Sequence, residues 1–488
     1  MARGLTLADT AQNRLRPVNP ASSPYLSGRF APVDRETDAD DLRVEGTIPA
    51  DIDGVFMRNG PNPKFPPLGS YTYPLEGDGM IHAVWIGGGK ARYRNRWVWT
   101  NGLRAEDRAG RALYGGIMTP AFVDQNLLGP DPDPGWPTKL DAFINIVRHA
   151  DRFLALEEGT PPYEVSPELQ TIGRFDFGGG LPLGMCAHPR IDPVTGEMVV
   201  FRYDIEEPFL TWAIVGPDGS VTRPPSAVPG IDKAFMIHDF TITEHYAVFV
   251  IGPAVLDVNA MLAGGSMLQW QPDLGTRIVL VPRAGDGPVS TVELDPFWVW
   301  HFANAYEDGD RVVADFPSWS GLSLAAGDRR AAGDQRTPVA GQFTRVSIDP
   351  ARGAATVTSV GDHPSEFPRI DDRLTGRRHR YLTVGAASGK HDLARGEHDR
   401  LVRWDMSTGR SEAWDTDASI GEVVFVPRNG ASGELDGYCM TLARSVADDH
   451  SWLYVWDAAD FPCPPRARIA IPATVPNGLH ANWFARRP

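Results

Sequence analysis

Four histidines of this 488-residue chain stand in surroundings that suit metal ligation. His188 lies in Met-Cys-Ala-His-Pro-Arg, His238 in Phe-Met-Ile-His-Asp-Phe, His301 in Trp-Val-Trp-His-Phe-Ala and His480 in Asn-Gly-Leu-His-Ala-Asn. Neutral imidazole suits iron, zinc, copper and nickel. The four follow one another at 50, 63 and 179 residues, so no local finger can hold them and only a complete fold could bring them together. A histidine with apolar neighbours is more often a satisfied core residue than a ligand. That plainer assignment is kept for the other eight: His82, His149, His245, His363, His379, His391, His398 and His450.

The elements that must position them read as short strands. Such runs are Met80 to Ile86, Ala91 to Thr100, Met198 to Tyr203, Tyr246 to Gly252, Arg277 to Val281, Arg311 to Phe316, Gly421 to Val426 and Trp452 to Trp456. Between them stand Asp192-Pro-Val-Thr-Gly, Gly216-Pro-Asp-Gly, Glu307-Asp-Gly-Asp, Asp349-Pro-Ala-Arg-Gly and Met406-Ser-Thr-Gly, the turn chemistry of antiparallel hairpins. Helical periodicity is scarce and is expected only over Pro253 to Met261 and near Thr119 to Leu128. Fifty glycines and 43 prolines fit a chain of many tight turns. The fold class is therefore all-β. Within it, the last histidine interval is close to three times sixty, the rhythm of a ligand recurring at the inner strand of propeller blades. No repeat signature of the familiar propellers accompanies it. The first 40 residues read as an arm, and residues 41–488 as a single domain.

Composition sets outer limits. A net charge of -15 argues against nucleic acid and anionic membrane surfaces as partners. Cys186, Cys439 and Cys463 make no CxxC pair and read as buried fillers in a reducing compartment. No secretory signal or membrane span is evident, and Pro253 interrupts the most apolar run, Tyr246 to Leu256. A cytoplasmic protein is expected. The Gly77 to Met80 segment lacks the lysine and spacing of a phosphate loop and reads as a tight turn before a strand.

Ordered motifs run through most of the chain. They begin with Glu45-Gly-Thr-Ile-Pro-Ala-Asp-Ile-Asp-Gly, Arg58-Asn-Gly-Pro-Asn-Pro, Glu76-Gly-Asp-Gly-Met-Ile-His and Leu154-Ala-Leu-Glu-Glu-Gly-Thr-Pro-Pro-Tyr. After three histidine segments come Glu366-Phe-Pro-Arg-Ile, Gly421-Glu-Val-Val-Phe-Val-Pro-Arg, Asp436-Gly-Tyr and the His480 segment. In these the chain resembles the carotenoid cleavage oxygenases. The resemblance implies a seven-bladed propeller, with a few short helices and long loops capping an axial site. It implies one Fe(II) held by His188, His238, His301 and His480, and O2-dependent scission of a conjugated carbon–carbon double bond in a hydrophobic polyene. It also implies that Glu158, Glu366 and Glu422 accept hydrogen bonds from His238, His301 and His480 respectively. Such acceptors fix the tautomer and plane of a metal-bound imidazole.

Departures from the family bear on substrate. Ile144 stands where many relatives carry a threonine whose methyl crowds one coordination position, and its β-branched side chain is stiff. Glu157 and Ile117 stand where the stilbene-cleaving branch is expected to carry a lysine and a tyrosine, so phenolic stilbenes are disfavoured. Glu157 is expected either to face the substrate, tolerating a polar apocarotenoid end group, or to be neutralised by burial. Trp300 is expected to line the substrate path, and alternation places it on one face with Phe302, opposite His301. A calcium-dependent propeller hydrolase would need oxygen-rich ligation. A non-cleaving isomerase of the same family would keep all seven residues, and so stays open, as does the oligomeric state. The segment from Pro253 to Trp270 has two readings: a capping helix packed on the domain, or an apolar lip with Met261, Leu262 and Leu268 in peripheral contact with a bilayer.

Overall fold

Glycine turns set the rhythm of this chain. Gly196 and Gly353 adopt φ of +72° and +59°, the left-handed region that admits glycine without a Cβ penalty. Gly196 closes the hairpin between Arg190–Ile191 and Met198–Tyr203, and Gly353 the one between Gly341–Asp349 and Ala354–Arg369. The computed structural model describes residues 15–119, 123, 125–129, 139–262, 266–285, 287–322, 341–389 and 397–486, without the side chains of residues 125, 126, 261, 262 and 362. Strands dominate it.

Three successive four-stranded antiparallel sheets lie between residues 145 and 294. They comprise Asn145–His149 with the next three strands, Arg190–Ile191 with the next three, and Thr241–Ile242 with Tyr246–Ile251, Thr276–Pro282 and Ser290–Leu294. A five-stranded sheet joins the two ends of the chain. In it the C-terminal Ala481–Ala485 pairs with Gly54–Arg58, Met57 facing Asn482, and Thr37–Ala39 pairs at the far edge with Lys90–Trp97. The remaining large sheet has thirteen strands. Its continuity comes from long strands that change partner: Ala354–Arg369 pairs first with Gly341–Asp349 and then, through Ser365, Glu366 and Arg369, with Tyr381–Ala386. The pairing therefore does not divide the chain into seven separate blades. Strands that continue from one layer into the next hide that boundary.

The core consists of several apolar clusters packed within and between these sheets. Phe201, Phe240 and Phe249 are fully buried, with ring centroids 5.1–5.8 Å apart. Each such aromatic pair adds about 0.5–1.5 kcal/mol beyond its burial. All three cysteines are free thiols, Cys186 and Cys439 buried. No helix among the described residues is long and apolar enough to cross a membrane.

Several local expectations are corrected. The strand expected to reach Thr100 ends at Trp97, because Thr100 caps a helix, Asn101–Ala109, with its side chain accepting from Leu103 N. Gly110 ends that helix in the left-handed conformation. The helix expected from Pro253 starts only at Val258. Before it, Ala254–Leu256 pairs as a strand with Leu268–Trp270, since these short apolar runs satisfy each other's backbone. The second expected helix contracts to Gln125–Leu128, its remaining span lying partly outside the described residues. The strand expected from Gly421 begins at Val424, leaving Glu422 in irregular backbone.

Candidate metal centre

Each of the four histidines lies just ahead of an edge strand. His188 precedes Arg190–Ile191, His238 precedes Thr241–Ile242, His301 precedes Asn304–Asp308 and His480 precedes Ala481–Ala485. These edge positions in four different sheets carry the imidazoles to one point. Their ligand atoms all lie within 4.8 Å of one another. His188 Nε2 and His238 Nε2 are 3.1 Å apart, and His238 Nε2 and His301 Nε2 are 3.3 Å apart.

Three carboxylates take the outer nitrogens. His301 Nδ1 donates to Glu366 Oε2 at 2.6 Å. His238 Nδ1 lies 3.3 Å from Glu158 Oε2, and His480 Nδ1 lies 3.3 Å from Glu422 Oε1. A proton on Nδ1 leaves the lone pair on Nε2. Lone pairs therefore converge in a buried space, which is unfavourable unless a cation lies between them. Separations of 3.1 and 3.3 Å also suit nitrogens at right angles about an ion with bonds of about 2.1 Å. The donor set fits a transition metal.

Charge is arranged accordingly. Burial, then the neighbouring imidazoles, keep His188 well below the ordinary histidine range. Burial also holds His480 down, despite Glu422. For His301 burial is outweighed by Glu366, and its pKa is raised. Burial opposes ionisation of Glu422, yet Arg369 and His480 win and pull its carboxyl down to about 2. Arg369 Nη1 sits 3.1 Å from Glu422 Oε2. Glu366 is likewise lowered: against its burial stand His301, Phe367 N and Trp319 Nε1, the last donating at 3.0 Å.

Phe367, Arg369 and Trp319 carried no assigned role in the sequence, although the first two belong to the Glu366-Phe-Pro-Arg motif. Phe367 has φ of +50° and stacks on His301 at 5.3 Å, with its edge toward His480 at 5.5 Å. A non-glycine residue in that region costs of order 1 kcal/mol or more, so the surrounding packing must hold it there. None of the other described histidines joins the cluster, and His391 lies outside the described residues. His398 is nearest in kind: buried, held down to about 4 by burial, its ring 5.6 Å from Phe367.

The residues expected at the substrate divide between two places. Trp300 meets the His238 ring edge-on at 5.0 Å and joins an apolar cluster with Trp298, Trp319 and Trp270. Phe302 packs elsewhere, with Val299 and Phe316, so the two do not share a face. Regular strand stops at Val299, and alternation stops with it. Ile144 is buried, and its carbonyl accepts from His480 N at 3.3 Å. Glu157 and Ile117 line a separate cavity of about 90 Å³. There Glu157 Oε2 accepts from Asp141 N at 2.8 Å, and burial followed by the Asp141 charge pushes its carboxyl up to about 8. A larger cavity of about 420 Å³ reaches His188, His301 and His480 from a polar side lined by Arg148, Arg190 and Arg369.

Comparison with known proteins completes the description. Residues 30–485 match the family described as retinal pigment epithelial membrane protein. The chain is 30% identical to the isoeugenol monooxygenase of Pseudomonas nitroreducens, covering 95% of this chain and 98% of that protein. It is 32% identical to the apocarotenoid-15,15'-oxygenase of Synechocystis, over 90% and 92% of the two chains. The solved lignostilbene dioxygenase of Pseudomonas brassicacearum superposes with a TM-score of 0.86 at 30% identity, covering 95% of this chain and 99% of that one. A four-histidine cluster set in a fold shared with propeller-type oxygenases, together with a family match across nearly the whole length, places this chain in the carotenoid cleavage oxygenase family.

Proposed function

We propose that the protein is a non-haem Fe(II) dioxygenase that cleaves a conjugated carbon–carbon double bond of a carotenoid or apocarotenoid into carbonyl products. The observation that carries this reading is the convergence of four imidazoles, their ligand atoms within 4.8 Å of one another and three of their rings backed by carboxylates. When bound there, a ferrous ion would supply the redox chemistry that activates O2. The chain's own residues do the rest. His188, His238, His301 and His480 present neutral donors. Glu158, Glu366 and Glu422 hold three of the rings in one tautomer and offset the metal's charge without occupying coordination positions. Arg369 keeps Glu422 ionised, and Trp319 with Phe367 N does the same for Glu366. Ile144 holds the backbone of His480 through its carbonyl, and Trp300 meets the His238 ring edge-on.

A second reading is an aromatic alkene substrate of the phenylpropanoid or stilbene type. It is favoured by the 0.86 TM-score to the lignostilbene dioxygenase and by the match to isoeugenol monooxygenase. The test is incubation of iron-loaded protein with carotenoid, apocarotenoid, stilbene and isoeugenol, with aldehydes identified by mass. Cleavage of the polyenes alone supports the first reading. Cleavage of the aromatic alkenes alone moves the assignment to the second.

A further inference from the structure

One of the four histidines is supported differently from the others. Glu158, Glu366 and Glu422 stand behind His238, His301 and His480. Among the described residues, no carboxylate pairs with His188. A carboxylate behind a ligating imidazole fixes its ring. Without one, the place of His188 depends on the backbone that carries it. Pro189 follows His188 and restricts it toward extended backbone, but a restricted dihedral does not set a distance to the other three rings.

Both flanks of His188 are anchored, and each anchor also grips another ligand segment. On one side Asn145 Nδ2 donates to Ala187 O at 2.9 Å. Asn145 Oδ1 accepts from Asn482 Nδ2 at 3.0 Å, two residues beyond His480. On the other side Arg190 Nη2 donates to Asp239 Oδ2 at 2.5 Å, and Arg190 Nε donates to Phe240 O at 2.8 Å. The same Asp239 oxygen accepts from Phe302 N at 2.8 Å, the residue after His301. Asp239 is itself the residue after His238 and is 2% exposed, while Asn145 is 8% exposed. These bonds therefore have little water to replace them, and the segments of all four histidines are tied into one polar belt.

We infer that Asp239 and Asn145 are positioning residues that hold His188 at the metal, Asp239 acting through Arg190 and Asn145 through Ala187. The inference rests on the metal centre of the oxygenase reading and not on its substrate. Loss of Asp239 falls first on His188, because His238 and His301 keep their own glutamates. The Arg190 guanidinium spans Asp239 and Phe240 O, and a planar fork fixes distance and direction together.

The test is Co(II) binding to metal-free protein, with affinity from chelator competition and ligand geometry from the visible d–d bands. Asp239→Asn and Asn145→Ala should each lower the affinity about 10-fold or more, the range for residues that orient ligands, and should shift the bands. Asp315→Asn is the control. Its carboxylate is fully buried and meets Arg345 and His379 instead of a ligand segment. It should lower Tm and leave affinity and bands unchanged. Arg190→Lys keeps the cation and removes the fork, so it should repeat the Asp239→Asn result with the buried carboxylate still present. The decisive comparison puts the substitutions into a His188→Ala protein. There each should lose most of its effect, because the ligand it places is gone. Equal losses in both backgrounds, unchanged affinity with His188 present, or a matching loss in Asp315→Asn would overturn the inference. Absence of Co(II) binding by the unsubstituted protein counts against the metal centre itself. Binding there with unaltered variants counts against these two positions alone.

Discussion

Protonation decides what the central side chains can do. Imidazoles bind metal only when neutral, so metal retention should fall as the pH drops through the histidine range. Replacing His238 or His480 with alanine should abolish metal binding and turnover while leaving the β-sheet circular dichroism near that of the parent. Full activity in either variant would remove that histidine from the centre. Glu366→Gln keeps the shape of the His301 partner but removes its charge, and metal affinity or activity should fall about 10- to 100-fold. Glu157 provides a test with the opposite sign. Its folded-state pKa, about 8, is raised above the ordinary carboxylate value, so its stabilising contribution is complete below about pH 4.5 and is lost as pH rises through about 8. Glu157→Gln should therefore lessen the loss of thermal stability between pH 6 and 9. An unchanged pH profile of Tm would show that this carboxyl ionises freely in the fold.

Strands position these residues, and strand contacts should therefore control the metal without touching it. Gly54 lies opposite the C-terminal strand, where an added Cβ would meet Phe484 O at 2.4 Å and the Trp483 ring at 2.6 Å. Gly54→Val should push Ala481–Ala485 away, shift His480 and lower both Tm and metal affinity. Normal metal affinity in a folded Gly54→Val protein would mean that the strand does not set the position of His480. Much of this level was legible in the sequence. Met198 to Tyr203 forms a strand over the span read from its β-branched and aromatic run, and the Asp192-Pro-Val-Thr-Gly turn ends in a left-handed glycine. Illegibility came from short-range competition. Val255 sits in an apolar run that suits a helix face, but Leu268–Trp270 is near enough to pair with it as a strand. The helix Asn101–Ala109 was signalled by Thr100 and Gly110 and hidden by the strand-like Trp97-Val-Trp before it. At the centre, the four histidines could be picked out by flanking residues. The supporting contacts of Trp319 and Arg369 could not, because partners 47 and 53 residues away carry no pattern in sequence.

Across the whole molecule, one design recurs: a residue just ahead of an edge strand is delivered to a shared point, and the pairing of the chain's two ends fixes the last of the four. Sequence could suggest this through the histidine intervals but not the merging of sheets, because a strand that changes partner, such as Ala354–Arg369, keeps its alternation throughout. The lip expected around Met261 and Leu262 falls on side chains outside the described residues, while Leu268 is half-buried beside Trp270. The same centre could serve cleavage or isomerisation, and dioxygen separates them. Iron-loaded protein incubated with the alkene panel under ¹⁸O2 should yield labelled carbonyl products, and under nitrogen it should yield none. Oxygen-independent conversion to an isomer, or unlabelled aldehydes formed at an equal rate under nitrogen, would contradict the dioxygenase account.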